Sequence, residues 1–444
     1  MSRPVEPGPS DPGLLASAAT TVITPSRPGP LAGYAARAGA LSTGTHDDLE
    51  AGAVWLRGAG GDPGLLWLML DVIGVTPVLR DACRRLVAAA FDRPPELIIT
   101  ASHTHAAPSG WVGSIHPGHP AEVDPAALDG LTGRLSALLR AIHDQPADAV
   151  RPVFAERPVR GVGSNRLRPD GPYDDSAGIL VLQRILDGSP AAVIIDHGCH
   201  PTVLPAGNLE HSADWPGAAR RSIAAELPGH PPVLFLQGVA GDVSTRFVRA
   251  DQSFAEADRI GGRLAEIVLG EPGPAEPLIG TPRIARRTLS VPARSIPDHD
   301  RARAAVAEAE AALTRLSTEV DHGALRIAQT RLDGARVLAE LAAAELPARW
   351  ALPITAVALA DVAWITLPVE PFTSLGLRIK RASPYRHTRV IGYTDGYLGY
   401  LADPEAIAEG SYEALSSLFD EAGAEAVVTG ASDLLINLHR EGHR

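Results

Sequence analysis

"PELIITASHTHAAPSG" occupies residues 95–110. Its apolar run, Leu97-Ile98-Ile99, follows two prolines and is too short for a helix, so it reads as a buried strand. In extended chain, residues i and i+2 point to the same side, which predicts that His103 and His105 face one cavity together. Neutral imidazole is the commonest metal ligand. The pair alone is also compatible with two strand-end histidines bonded to backbone or carboxylates.

Outward from this stretch, strand and helix patterns alternate. "LLWLMLDVIGV" (65–75) reads as a buried strand, "PVLRDACRRLVAAAF" as a helix, "AAVIIDHG" (191–198) as a strand, "WPGAARRSIAAEL" as a helix and "PVLFLQG" (232–238) as a strand. This alternation predicts a mixed α/β fold of layered mixed sheets with helices. Residues 299–346 are rich in Ala, Leu, Glu and Arg without Pro before 347, predicting a helical hairpin broken near Asp321-His322-Gly323, with no evident chemistry. "ITAVALADVAWITLPVE" then returns to strand character and ends on Glu370. Residues 1–13 read as a disordered Pro/Gly-rich tail and 14–444 as a single domain.

Composition excludes several classes. The net charge of −12 with no basic stripe argues against nucleic acid. Lys380 is the only lysine, so a phosphate loop ending in Gly-Lys-Ser/Thr is absent, and a Schiff-base lysine would have to be Lys380, on a basic, surface-like stretch. Cys83 and Cys199 are too few for a disulfide framework. With no signal-like segment and no eighteen-residue apolar run, a soluble cytoplasmic protein without membrane insertion is expected. The Ala/Arg/Gly/Pro bias suggests a bacterial source.

Further clusters end other predicted strands. "IIDHGCHPTVL" carries His197 and His200, and "LEHSADWPGAA" carries His211 and Asp214. Loops at the ends of parallel strands converge on one sheet edge. His200 and His211 also suit surface or capping roles, and Asp214 suits a helix cap. "FLQGVAGDVSTR" (235–246) has glycines for a tight turn and Ser244 as nucleophile or hydrogen-bonding support, but no G-x-S-x-G elbow. Glu370 ends an apolar strand, where a carboxylate must be paired or bound to metal.

Together, "SHTH", "SNRLRPD", "DHGCHP…SADWPGAA", "QGVAGDVS", "LPVEPFTSLGLRIK" and "YLADPEAIAEGSY" resemble the neutral (non-lysosomal) ceramidase family over roughly residues 20–420. The resemblance implies one Zn²⁺ per chain, with His103, His197, Glu370 and Tyr400 as ligands. It implies His105 and Tyr412 facing substrate, Arg166 near the scissile amide, and Ser244 in a lesser supporting role. Tyr400 and Tyr412 stand twelve residues apart, as the family's ligand and catalytic tyrosines do.

The implied reaction is zinc-dependent hydrolysis of a linear N-acyl amide, with a metal-activated water attacking the carbonyl and His105 carrying a proton to the leaving amine. The same site run in reverse would form an amide. "AAPSG" replaces the family's Gly-rich continuation, no C-terminal β-sandwich is expected, and only 5% of the chain is aromatic. A small soluble amide is therefore expected as substrate rather than ceramide. Two alternatives are an amidohydrolase barrel, which the long helical region fits badly, and a zinc-stabilised binding protein without catalysis. A metallo-β-lactamase site lacks its aspartate after the histidine pair.

Overall fold

The computed structural model describes residues 13–117, 121–270, 275–316 and 322–442. Except for Gly13, the expected N-terminal tail lies outside these residues, as does Asp321 at the expected hairpin break. Within them the architecture is mixed α/β, with a nine-stranded sheet, a four-stranded sheet, three short two-stranded pairings and ten α-helices. The sheets form no barrel among the described residues, which removes the amidohydrolase alternative. No described helix is long and apolar enough to cross a membrane.

The order across the large sheet is Val233–Gln237, Pro190–His197, Ser176–Arg184, Asp148–Pro158, Leu14–Val22, Glu50–Gly58, Leu65–Leu70 and Glu96–Ala101, and the ninth strand, Glu276–Pro277, pairs with Asp148–Pro158 off this path. The outermost pair at each edge is parallel and the interior pairs are antiparallel. The sheet folds over on itself. Leu234 of one edge strand lies against Gly52, where a Cβ would stand 2.9 Å from the leucine methyl.

Leu65–Leu70 ends five residues earlier than the sequence pattern suggests. Asp71, wholly buried, turns its carboxylate to the Glu50 amide (2.8 Å) and to Arg220 (2.6 Å), which takes the chain out of the sheet. The following helix, Pro77–Ala90, has proline in its first turn and buries Leu79, Ala82, Cys83 and Val87 on one stripe.

The four-stranded sheet orders Arg283–Pro292, Arg349–Leu359, Val362–Thr366 and His387–Ile391. It packs on the large sheet through Trp364, edge to face with Trp67 at 5.6 Å. Beyond its last strand, residues 392–395 stitch the two edges of the large sheet together. Gly392 N donates to Gln237 O (3.0 Å), and Asp395 N donates to Ile99 O (2.9 Å). Two histidine-bearing strand ends, that of the edge strand Glu96–Ala101 and that of Pro190–His197, next to the opposite edge, are thereby held side by side. The hairpin helices His299–Leu316 and His322–Ala343 pack on this end of the fold, with Gly334 against Leu415.

Candidate active site

The strand Glu96–Ala101 ends before the histidines, and His103 adopts φ +67°, in the left-handed region. Strand alternation therefore does not bring the pair together. A left-handed turn does, held by Ser102 N on Leu70 O and His103 N on Val72 O. His103 Nε2 and His105 Nε2 stand 3.3 Å apart. From next to the opposite edge, His200 joins them: the ligand atoms of His103, His105 and His200 all lie within 4.8 Å of one another.

The outer nitrogens fix the protonation of two rings. His103 Nδ1 is 2.6 Å from Ile73 O, and His200 Nδ1 is 2.6 Å from Ala240 O. A carbonyl only accepts, so both Nδ1 atoms carry the proton, and in the neutral rings both Nε2 lone pairs point inward. Burial, with the Arg166 charge adding, pushes the His200 pKa down to about 4, so this ring is neutral at pH 7. Glu370 Oε2 stands 3.0 Å from His200 Nε2 and 3.4 Å from His103 Nε2, yet His200 Nε2 has no aligned hydrogen bond. Electron-rich atoms converging on one point without a proton between them fit a bound cation.

Glu370 is only 2% exposed. Tyr397 donates its hydroxyl to Oε1, and Tyr393 donates to Oε2 at 3.3 Å. Both tyrosines were missed in the sequence. Burial and the Glu370 charge raise their pKa values well above 10, so both remain donors. Orientation of a ligand carboxylate by such donors is usual around bound metals.

Glu370 pairs directly with Tyr400 in a short parallel ladder. The Tyr400 hydroxyl accepts from Arg166 Nη2 at 3.1 Å, and its ring lies 6.4 Å from that of His200. Arg166 also donates to Gly241 O (2.7 Å), and its Nε is paired with the Glu413 carboxylate at 2.9 Å. Tyr412 opens the helix Tyr412–Ser416, capped by Ser411, with its ring 6.1 Å from Tyr400. Burial, with Glu370 and Glu413 adding, pushes its phenol up to about 12.

His197 is not part of this group. It ends its strand with Nδ1 donating to Ser176 O (3.1 Å) and Nε2 accepting from Tyr173 OH (2.8 Å), so both nitrogens are satisfied elsewhere. His200, three residues later, occupies the position expected of it. Nothing in the H-x-x-H spacing distinguishes the two. What does is tertiary: Gly198 meets Val239 and Gly238 so closely that a Cβ would fall 2.4 Å from Val239 O, and this contact sends the next turn toward the cavity.

The other expected residues are also located. Ser244 bridges His200 in the backbone, and its Oγ accepts from Arg246 N at 3.2 Å, a support for the loop. Asp214 is the first residue of its helix and bonds Trp215 N and Leu204 N. His211 pairs in a short ladder with Thr45. Lys380 is not on an open basic surface: it is largely buried against Asp174 at 2.5 Å.

The cluster opens into a cavity of about 810 Å³. His103, His105, Glu370, Tyr397, Tyr400 and Tyr412 line it, as does Glu340 from the hairpin for which no chemistry was expected. Tyr34 and Gly33 form the wall beside His105, with the Tyr34 and His105 rings 4.8 Å apart.

Known structures share this arrangement of elements. Neutral ceramidase from Pseudomonas aeruginosa aligns with a TM-score of 0.76 over 97% of this chain and 75% of its own, at 18% identity. The fold is that of neutral ceramidase. A second structure, a ceramidase complexed with C2, aligns at a TM-score of 0.76 and 16% identity over 97% of this chain and 76% of that one. No protein-family model matches the sequence, and no curated protein matches it. The neutral-ceramidase fold is thus recognisable in three dimensions at an identity where the site must be argued from its own atoms.

Proposed function

We propose that the chain is a zinc-dependent amidase that hydrolyses a small linear N-acyl amide, with residues 14–444 acting as one catalytic unit. The observation that carries this reading is the convergence of His103, His105, His200 and Glu370 on one point at the edge of a cavity. An imidazole-rich set with one carboxylate suits zinc. Both similar structures are ceramidases, and ceramidase activity is cleavage of an amide, which agrees in reaction class.

His103, His200 and Glu370 would hold the metal, because each has its second polar atom fixed by a carbonyl or a phenol. Tyr400 is the fourth ligand in this reading, its hydroxyl positioned by Arg166. Bound Zn²⁺ supplies a Lewis acid and lowers the pKa of water to about 7. His105 differs from the other two histidines: its Nδ1 has no partner, and it is less buried. It is the group free to take a proton from the attacking water and give it to the leaving amine. Tyr412, protonated at neutral pH, donates to the amide oxygen as negative charge develops there. Arg166 does not line the cavity, so it acts through Tyr400 rather than on substrate.

The test is a panel of N-acyl amides offered to the purified protein before and after chelation. Cleavage should stop on chelation and return with Zn²⁺. His105→Ala should be inactive while keeping its metal. Amide cleavage that survives complete chelation would remove this reading.

A further inference from the structure

Three arginines are buried among the described residues: Arg37, Arg220 and Arg389. Arg220 pairs with Asp71 at 2.6 Å, and Arg389 pairs with Asp196 at 2.6 Å. Arg37 has no carboxylate partner. Its Nε donates to Ala206 O (3.2 Å), its Nη1 donates to Ala32 O (2.7 Å) and to His105 O, and its Nη2 has no partner. Burial without a counter-ion lowers its pKa, partly offset by Tyr34. A buried cation is normally paired, because leaving it alone is costly.

The position of this charge is specific. Arg37 lines the cavity and is tied to the backbone of His105, next to the metal-ligand cluster. Apart from Glu370, which belongs to the proposed metal-binding group, the acidic residues that line the same cavity, Glu122, Asp124 and Glu340, are exposed, and Asp124 is engaged as the cap of helix Pro125–Asp144. The wall beside His105 therefore favours an anion, and the rim does not.

Resting on the amidase reading, we propose that the amide substrate carries a carboxylate that pairs with Arg37. The shared chemistry is a carboxylate a few atoms from the scissile bond. It can sit on the amine part, as in an N-acyl amino acid, or on the acyl part, as in a dicarboxylic monoamide.

The test compares matched substrates on the zinc-loaded protein: N-dodecanoylglycine against N-dodecanoylglycinamide, and an alkylamine monoamide of a dicarboxylic acid against its methyl ester. The wild type should favour the carboxylate by about ten- to a hundredfold in kcat/KM within at least one pair, and the favoured pair identifies the side that carries the charge. Arg37→Gln should collapse that ratio toward one, and Arg37→Lys should retain part of it. The ratio is read because general damage to His105 positioning affects both members of a pair alike. Equal turnover within both pairs, or preference for the neutral members, would overturn the proposal.

If no amide is cleaved, the amidase reading fails and binding decides this one separately. N-dodecanoylglycine should then bind chelated wild type at least about tenfold more tightly than chelated Arg37→Gln, with no such difference for the glycinamide. Equal binding to the two proteins would overturn it.

Discussion

His197 and His200 are three residues apart, both buried, one ending the strand Pro190–His197 and the other just beyond it, yet their environments are opposite. Each has Nδ1 on a backbone carbonyl. His197 Nε2 then accepts a phenol proton from Tyr173, so the ring is a finished structural unit. His200 Nε2, with the ring proton on Nδ1, faces Glu370 without an aligned hydrogen bond and lies beside two further imidazoles. The difference lies in a single atom's partner. A buried histidine with both nitrogens satisfied braces the fold, whereas one whose lone pair meets a carboxylate needs a cation.

The largest expected effect that sharpens this contrast is in acid. In chelated protein His200 is pushed down to about 4, against about 6.5 unfolded, so the neutral ring is the form favoured by folding. Its contribution is fully present above pH 6.5 and is lost as the pH falls toward 4, an effect of about 3 kcal/mol. Denaturant unfolding of chelated wild type and His200→Gln at both pH values should show the stability difference between them shift by that amount against wild type in acid. An unchanged difference would mean that Nε2 accepts a proton easily, and the contrast with His197 would lose its basis.

A smaller effect is expected at Tyr397. Removing its bond to Glu370 with Tyr397→Phe should weaken metal binding by about ten- to a hundredfold, measured by competition with a chromophoric chelator. The smallest belongs to the other side of the comparison. Tyr173→Phe removes the bond to His197 and should cost about 1 kcal/mol of stability while leaving metal affinity unchanged. A loss of affinity there would join the two histidines into one system.

Much of this arrangement was legible in the chain. Apolar runs of strand length, bounded by Pro and Gly, located Glu96–Ala101, Pro190–His197 and Val233–Gln237 to within a residue or two. Glu370 stood out because an acid at the end of an apolar strand requires a partner, and the structure provides four. Strand alternation predicts that His103 and His105 face one cavity, but the strand stops at Ala101 and a left-handed residue makes the turn that brings them together. The choice between His197 and His200 depends on the Gly198–Gly238 approach, a contact between segments forty residues apart that no local pattern encodes. Tyr397 and Tyr393 went unnoticed because a tyrosine between strands has no periodicity to betray it, and their partner becomes visible only when residues 392–395 bridge the sheet edges. Arg37 is silent in sequence for the same reason, since the absence of a counter-ion is a property of packing.

In this reading His200, and not His197, completes the metal centre. Metal content of purified wild type, His200→Ala and His197→Ala, measured side by side by elemental analysis after zinc loading and desalting, tests it directly. One equivalent of zinc is expected in wild type and in folded His197→Ala, and much less than one in His200→Ala. Loss of zinc from His197→Ala with retention in His200→Ala, or no zinc in wild type, would contradict the account.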